Sequence, residues 1–242
     1  MISAVHNSLL SIVFPTACLS CGELIEDTAL GRACETCWAA TTIFTGLEHL
    51  CIKCGALLGQ EANPVSVSCR QCSDHNYNHA SAIGVYEKAL AATIISLKTQ
   101  PRLSDRIQML AAQAFSPTSA RDYDVVIPTP LSKRRQIERG FNQAEIIASW
   151  IAGSLHLPVD AVSLARKGHT AIHRVGMDAT ARRQSVKNAF HVVRPKLISG
   201  KRILLVDDVL TSGATASASA DVLKGSGAVR VDVFTLARAV LH

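Results

Sequence analysis

From about residue 80 onward, apolar positions fall into short, β-branched-rich runs separated by stretches with helical spacing. Residues 81–86, 124–127, 159–165, 189–193, 202–206 and 229–236 read as strands. Residues 89–97, 105–115, 142–155 and 214–224 read as helices. Strands alternating with helices predict a mostly parallel sheet covered on both faces. At the other end, Ile2, Val5, Leu9 and Ile12 have helical spacing and predict a short helix over residues 1–16, docked on the body. That stretch lacks the charged front and cleavage site of a secretory leader and is too short to span a bilayer. The expectation is a cytoplasmic protein with no membrane insertion.

Residues 17–79 follow a different pattern. The eight cysteines form four Cys-x-x-Cys pairs, Cys18/Cys21, Cys34/Cys37, Cys51/Cys54 and Cys69/Cys72, with spacers of 12, 13 and 14 residues. Each pair sets two thiolates on one side of a tight loop, and two pairs complete a tetrahedron around Zn²⁺. Gly22 and Gly55 follow the second cysteine of alternate pairs and free the backbone for that turn. The repeat suggests two sequential ribbons, the first four cysteines in one and the last four in the other, with interleaved pairing still open. A segment with so little apolar surface needs a metal or disulfides, and the absence of a secretory signal disfavours disulfides. Four thiolates close the coordination shell, so both zinc sites are expected to be structural.

The chain thus divides into an N-terminal helix (1–16), a double zinc ribbon (17–79) and an α/β domain (80–242). With 242 residues and 48% hydrophobic content, the chain has room for one ordinary domain and a small one. Aromatic residues make up only 5%, which weakens any reading based on base-stacking platforms. The net charge of +6 is uneven: three Lys/Arg face seven Asp/Glu before residue 80, and 22 face 12 after it. A basic second half suits phosphate esters or nucleic acid.

The segment from Arg202 to Thr215 carries the most chemistry. An apolar run ends in Asp207 and Asp208, followed by a small-residue turn, Thr211, Ser212, Gly213, Ala214 and Thr215, and then a helix. Ligands of open parallel sheets sit at the carboxyl ends of strands. Backbone N–H groups of the turn and the helix N-terminus form an anion cradle, with the hydroxyls as further donors. Paired carboxylates match a vicinal diol, since each accepts a hydroxyl hydrogen bond. Carboxylates beside a phosphate cradle have the shape of a ribose 5-phosphate site. No Gly-x-x-x-x-Gly-Lys-Ser/Thr occurs, which excludes a nucleotide P-loop.

This loop resembles the phosphoribosyl pyrophosphate loop of type I phosphoribosyltransferases. The whole chain resembles the ComF/GntX family of competence-type proteins, which join a double zinc ribbon to such a domain. The resemblance runs through Phe14-Pro15, Leu97-Lys98, Ile127-Pro-Thr-Pro-Leu131, Arg134-Arg135, Glu138-Arg-Gly-Phe-Asn-Gln-Ala144, Arg182-Arg183 and Asn188-Ala-Phe190. It implies that Asp207 and Asp208 hold the ribose hydroxyls, directly or through Mg²⁺, and that the loop cradles the 5-phosphate. Arg134, Arg135 and Arg139, close behind the turn after the 124–127 strand, would neutralise pyrophosphate or a nucleic-acid backbone. A plainer reading of residues 139–143 is the start of a helix, with Asn142 as its cap and Phe141 in the core. The sequence departs from the family where His173 stands in place of a glutamine and Ser185 in place of a common asparagine.

Two readings follow. In one, the protein is a phosphoribosyltransferase that displaces pyrophosphate from ribose C1 with a nitrogen nucleophile; no residue identifies the acceptor. In the other, it is a non-catalytic factor that grips single-stranded DNA through its basic part and docks a partner through its ribbons. The resemblance implies a DNA-translocating ATPase or another competence protein as that partner.

Overall fold

The computed structural model describes residues 16–58, 69–115, 119–167 and 188–240. The helix expected over residues 1–16, and the motifs containing His173, Arg182-Arg183 and Ser185, lie outside the described residues, apart from Thr16 itself.

Each ribbon opens with the same turn. Cys18 N–H donates to the Glu23 carbonyl at 2.8 Å and Gly22 N–H to that of Cys18 at 2.9 Å; the second ribbon repeats this with Cys51 to Ala56 and Gly55 to Cys51 at 2.8 and 2.9 Å. Gly22 and Gly55 sit at φ 82 and 63, the left-handed conformation that favours glycine. The following pairs begin helical turns. Cys34 is the N-cap of α1 (Glu35–Ala39), and Cys69 is that of a 3-10 turn over Arg70–Cys72.

Beyond the ribbons, chain order gives β1 (Ala80–Val85), α2 (Lys88–Ser96), α3 (Asp105–Gln113), β2 (Val125–Pro128), α4 (Lys133–Arg139) and α5 (Gln143–Leu155). Next come β3 (Leu164–Arg166), β4 (Phe190–Val192), α6 (Pro195–Ile198), β5 (Arg202–Leu210), α7 (Ala214–Gly225) and β6 (Arg230–Arg238). The main sheet has the order β1-β6-β5-β2, and every neighbouring pair is parallel.

Strand side chains alternate between faces, and two cores result. Val126, Leu204, Val206, Phe234 and Leu236 pack with α2, α3, α5 and the first ribbon. Val125, Ile127, Ile203, Leu205, Val231 and Val233 pack with α7, the β3–β4 hairpin and the second ribbon. Each such side chain, fully buried, contributes about 1.5–3 kcal/mol. The expected α/β sheet with helices on both faces, preceded by a double ribbon with four cysteines per site, is what the chain forms.

Two strands differ from expectation. Residues 159–165 do not form one parallel strand. The Asp160 carboxylate accepts hydrogen bonds from Val162 N–H and Ser163 N–H at 3.0 and 2.8 Å, which turns the chain. Val159 keeps one bridge to Val126, and β3 pairs antiparallel with β4 instead. β5 does not stop at the carboxylates. It runs through Asp207 and Asp208 to Leu210, because β6 continues to Arg238 and pairs with it over the full length.

The linker between the ribbons covers the β1 edge. Phe44 N–H donates to the Ile83 carbonyl at 2.8 Å and Val85 N–H to that of Thr42 at 2.9 Å. They cross at Gly84, where a Cβ would collide with the Thr42 carbonyl. Gly84→Ala is therefore expected to lower unfolding stability by about 2 kcal/mol or more. Gly153→Ala, on exposed α5 surface with nothing within 4 Å, should raise it by about 0.5–1 kcal/mol. Chemical denaturation of the metal-loaded protein compares the two.

Candidate functional site

In each ribbon the four thiols converge, with all Sγ atoms within 4.8 Å of one another. Cys18–Cys37 and Cys21–Cys34 are 3.8 and 3.5 Å apart, and Cys51–Cys72 and Cys54–Cys69 are both 3.5 Å apart. A zinc tetrahedron with bonds of about 2.3 Å has edges of about 3.8 Å, so the donor set and spacing fit Zn²⁺. None of the eight is in a disulfide, and the pairing is sequential. Burial opposes ionisation of Cys18, but the backbone N–H groups of Cys34, Ser20 and Cys21 bring it down to about 6. Cys51 is likewise brought to about 6 against burial, by donors from Cys69, Cys54 and Lys53.

The sheet rim is built where β2 ends and β5 continues. Thr129 N–H donates to the Val206 carbonyl at 2.8 Å, which sets the turn after β2 beside Asp207. Asn142 ties that turn down: its Nδ2 donates to the Thr129 carbonyl at 3.0 Å while its Oδ1 accepts from Ala144 N–H at 3.2 Å and caps α5. The cap is as expected, but Phe141 is half-buried rather than in the core. Each carboxylate also accepts from the amide that follows it, Asp207 from Asp208 N–H at 2.9 Å and Asp208 from Val209 N–H at 2.8 Å. Burial and then the Asp208 charge push the Asp207 carboxyl well above the usual range; the Asp208 N–H and the Thr129 hydroxyl oppose them with smaller effects. Two like charges in a partly dry place resist joint ionisation.

The loop from Thr211 to Thr215 follows directly. Thr211 is exposed and Thr215 half-buried, while Ser212, Gly213 and Ala214 are buried. Gly213, at φ 73, is the N-cap of α7 and, being glycine, supplies no side-chain cap. The first turn of α7 carries no acidic residue, so the positive end of its dipole favours an anion there.

Sequence reasoning missed what packs on this loop. A Cβ at Gly213 would meet His75 Cε1 at 2.5 Å and Tyr77 Oη at 3.0 Å. Those two side chains bond each other, Nδ1 to Oη, at 2.6 Å, and Asn76 N–H donates to Ser217 Oγ at 3.0 Å. Arg238 adds bonds to the Leu210 carbonyl at 2.8 Å and to the Thr211 carbonyl. The one sequence signal was an arginine just after the apolar run Val233–Ala237, which Thr235 interrupts; nothing marked His75 or Tyr77.

The arginines expected near the rim lie on α4, a helix with no buried residue. Arg134 Nε is 2.6 Å from Glu138 Oε1, so its charge is already engaged on an exposed surface. Arg135 is exposed and Arg139 half-exposed, with no carboxylate partner among the described residues.

Residues 9–73 match the family model for a double zinc ribbon domain. Along the whole chain, competence protein F of Haemophilus influenzae is 31% identical over 190 residues, covering 75% of this chain and 82% of the relative. The chain belongs to the competence protein F family. Within that family it also resembles the DNA utilization protein YhgH of Escherichia coli K12, at 29% identity over 87% of this chain and 92% of that one. Competence protein ComFC of Bacillus subtilis is 24% identical over 91% and 94%. Among solved structures, the Bacillus subtilis glutamine phosphoribosylpyrophosphate amidotransferase has a TM-score of 0.34 at 22% identity, over 52% of this chain and 24% of that one. The Pyrococcus horikoshii purine phosphoribosyltransferase has a TM-score of 0.33 at 15% identity, over 55% and 81%. The chain spans about a quarter of the amidotransferase's length.

A carboxyl whose folded pKa is raised gives stability at low pH and loses it as pH climbs from the unfolded value toward the folded one. The raised Asp207 carboxyl is therefore expected to cost the fold stability as pH rises above the ordinary carboxylate range. Asp207→Asn should raise the melting temperature of the ligand-free protein at pH 7 by about 2 °C or more, with the gain shrinking toward pH 4. An unchanged or lower melting temperature would contradict this account.

Proposed function

We propose that the rim of Asp207 and Asp208, with Thr211, Ser212, Gly213, Ala214 and Thr215, binds a 5-phosphoribosyl group in a protein serving competence-type utilization of single-stranded DNA. Phosphoribosyl pyrophosphate is the ligand that suits it best. The supporting observation is the pair of adjacent carboxylates near the end of β5, with Gly213, the N-cap of α7, three residues beyond that strand. Asp207 and Asp208 accept from ribose hydroxyls, the loop amides take the 5-phosphate, and Arg135 and Arg139 face the pyrophosphate side. The donors at the rim are hard oxygens with no ion-pair partner among the described residues, so they fit Mg²⁺. Asp207 and Asp208 would hold that ion, which supplies charge stabilisation to the pyrophosphate.

Ligand at about 100-fold over its dissociation constant should raise the melting temperature by about 5–10 °C. Asp207→Ala/Asp208→Ala should abolish the shift produced by phosphoribosyl pyrophosphate with Mg²⁺. A wild-type protein that shows no shift with that ligand or with ribose 5-phosphate rejects the reading.

One observation favours a second role for the same surface. α4 buries nothing and presents Lys133, Arg134 and Arg135, with Ile137 83% exposed, as a helix built to meet a polyanion would. Binding of single-stranded DNA should weaken steeply between about 50 and 200 mM salt. Arg134→Ala/Arg135→Ala should reduce that log–log slope by about one to two. An unchanged slope removes the helix from any DNA contact.

A further inference from the structure

Arg238 closes β6 and is only 4% exposed, an unfavourable place for a permanent cation. Its Nη1 donates to the Leu210 carbonyl at 2.8 Å, to the Thr211 carbonyl and to that of Ala239 at 3.0 Å. Its Nε donates to the Cys54 carbonyl at 3.2 Å, and its Nη2 lies 3.9 Å from Cys54 Sγ. No carboxylate among the described residues pairs with it. Carbonyl dipoles solvate a guanidinium but do not neutralise it. Four thiolates around a divalent ion would carry an excess of about two negative charges, so a metal-loaded second cluster would supply the counter-charge for Arg238, whose Nη2 lies beside Cys54. The same guanidinium grips the last carbonyls before the buried turn at Ser212 and Gly213. A second strut runs from just beyond Cys72, where His75 and Tyr77 wedge against Gly213. The first cluster lies elsewhere, since Cys18, Cys34 and Cys37 pack in the other core, with α2 and α3.

We propose that Arg238 is a positioning residue through which metal in the second cluster fixes the backbone of the 211–215 loop. Occupancy of that one cluster then sets whether the rim can receive a phosphate ester. The mechanical half stands on the geometry alone; the phosphate-ester half rests on the phosphoribosyl reading.

Hydrogen exchange of the amides of residues 212–217, measured on the full metal-loaded chain, tests it. Arg238→Lys keeps a cation but loses the planar fork, and should speed exchange there by about tenfold while metal content stays at about two ions per chain. Cys69→Ser, at a half-buried ligand of the second cluster, should do the same, and Cys21→Ser, at an exposed ligand of the first, should not. With cobalt(II) in place of zinc, Arg238→Lys should also shift the thiolate charge-transfer band, because the cation beside Cys54 has moved. Loop exchange as slow as wild type in both Arg238→Lys and Cys69→Ser overturns the proposal. Equal acceleration by Cys69→Ser and Cys21→Ser overturns it too, as the sign of general loosening. If Arg238→Lys does not fold, the comparison of the two cysteine variants decides. If exchange responds as expected but ribose 5-phosphate does not bind the wild-type protein, the coupling is upheld and the phosphoribosyl reading is what fails.

Discussion

Among the described residues between 17 and 79, the buried apolar side chains are mostly the cysteines themselves, joined by Ile25, Ala33, Trp38 and Tyr77. That is too little surface to offset the backbone entropy of ordering such a segment. Metal closure supplies about 10–16 kcal/mol in comparable modules. It is therefore the constraint on which the rest leans, since each ribbon in turn completes one core. The first lays Trp38 into the α2/α3 side, its indole donating to the Leu30 carbonyl at 3.1 Å while Arg106 lies over its ring at 5.8 Å. The second lies against the β5–β6 rim. The sheet is thus covered by helices and, in part, by the two metal modules.

At the rim, electrostatics and packing pull against each other. Carrying β5 past Val206 completes its pairing with β6, but it draws Asp207 into a partly dry setting beside a second carboxylate. A fold selected for stability alone would place an amide there. The acidic pair lies next to the N-terminus of α7, whose first turn carries no acidic residue.

Much of this was legible in the sequence. Hydrophobic patterning placed β1, β2, β5 and β6, because parallel strands buried on both faces leave continuous apolar runs, and it placed α2, α3, α5 and α7 but not the short helices α4 and α6. Cysteine spacing announced both clusters. Short-range hydrogen bonds hid the rest: Asp160 turning on Val162 and Ser163 ends a run that looks like a strand. The extent of β5 was illegible from its own residues, since it is set by how far β6 continues. The Asp207–Asp208 pair and the loop after it could be singled out as candidates because they are contiguous in sequence. His75, Tyr77 and Arg238 could not, because their roles exist only once positions about 140–180 residues apart meet.

β1 is an outer strand whose free side would otherwise offer a row of unmatched amides and carbonyls to any neighbouring chain, and residues 42–44 of the inter-ribbon linker occupy part of that side. Because this stretch is anchored by a ribbon at each end, chelation would do more than melt two small modules. It would strip the guard from the strand and invite intermolecular β-pairing, so metal supply would govern how long the protein stays in solution as a monodisperse species.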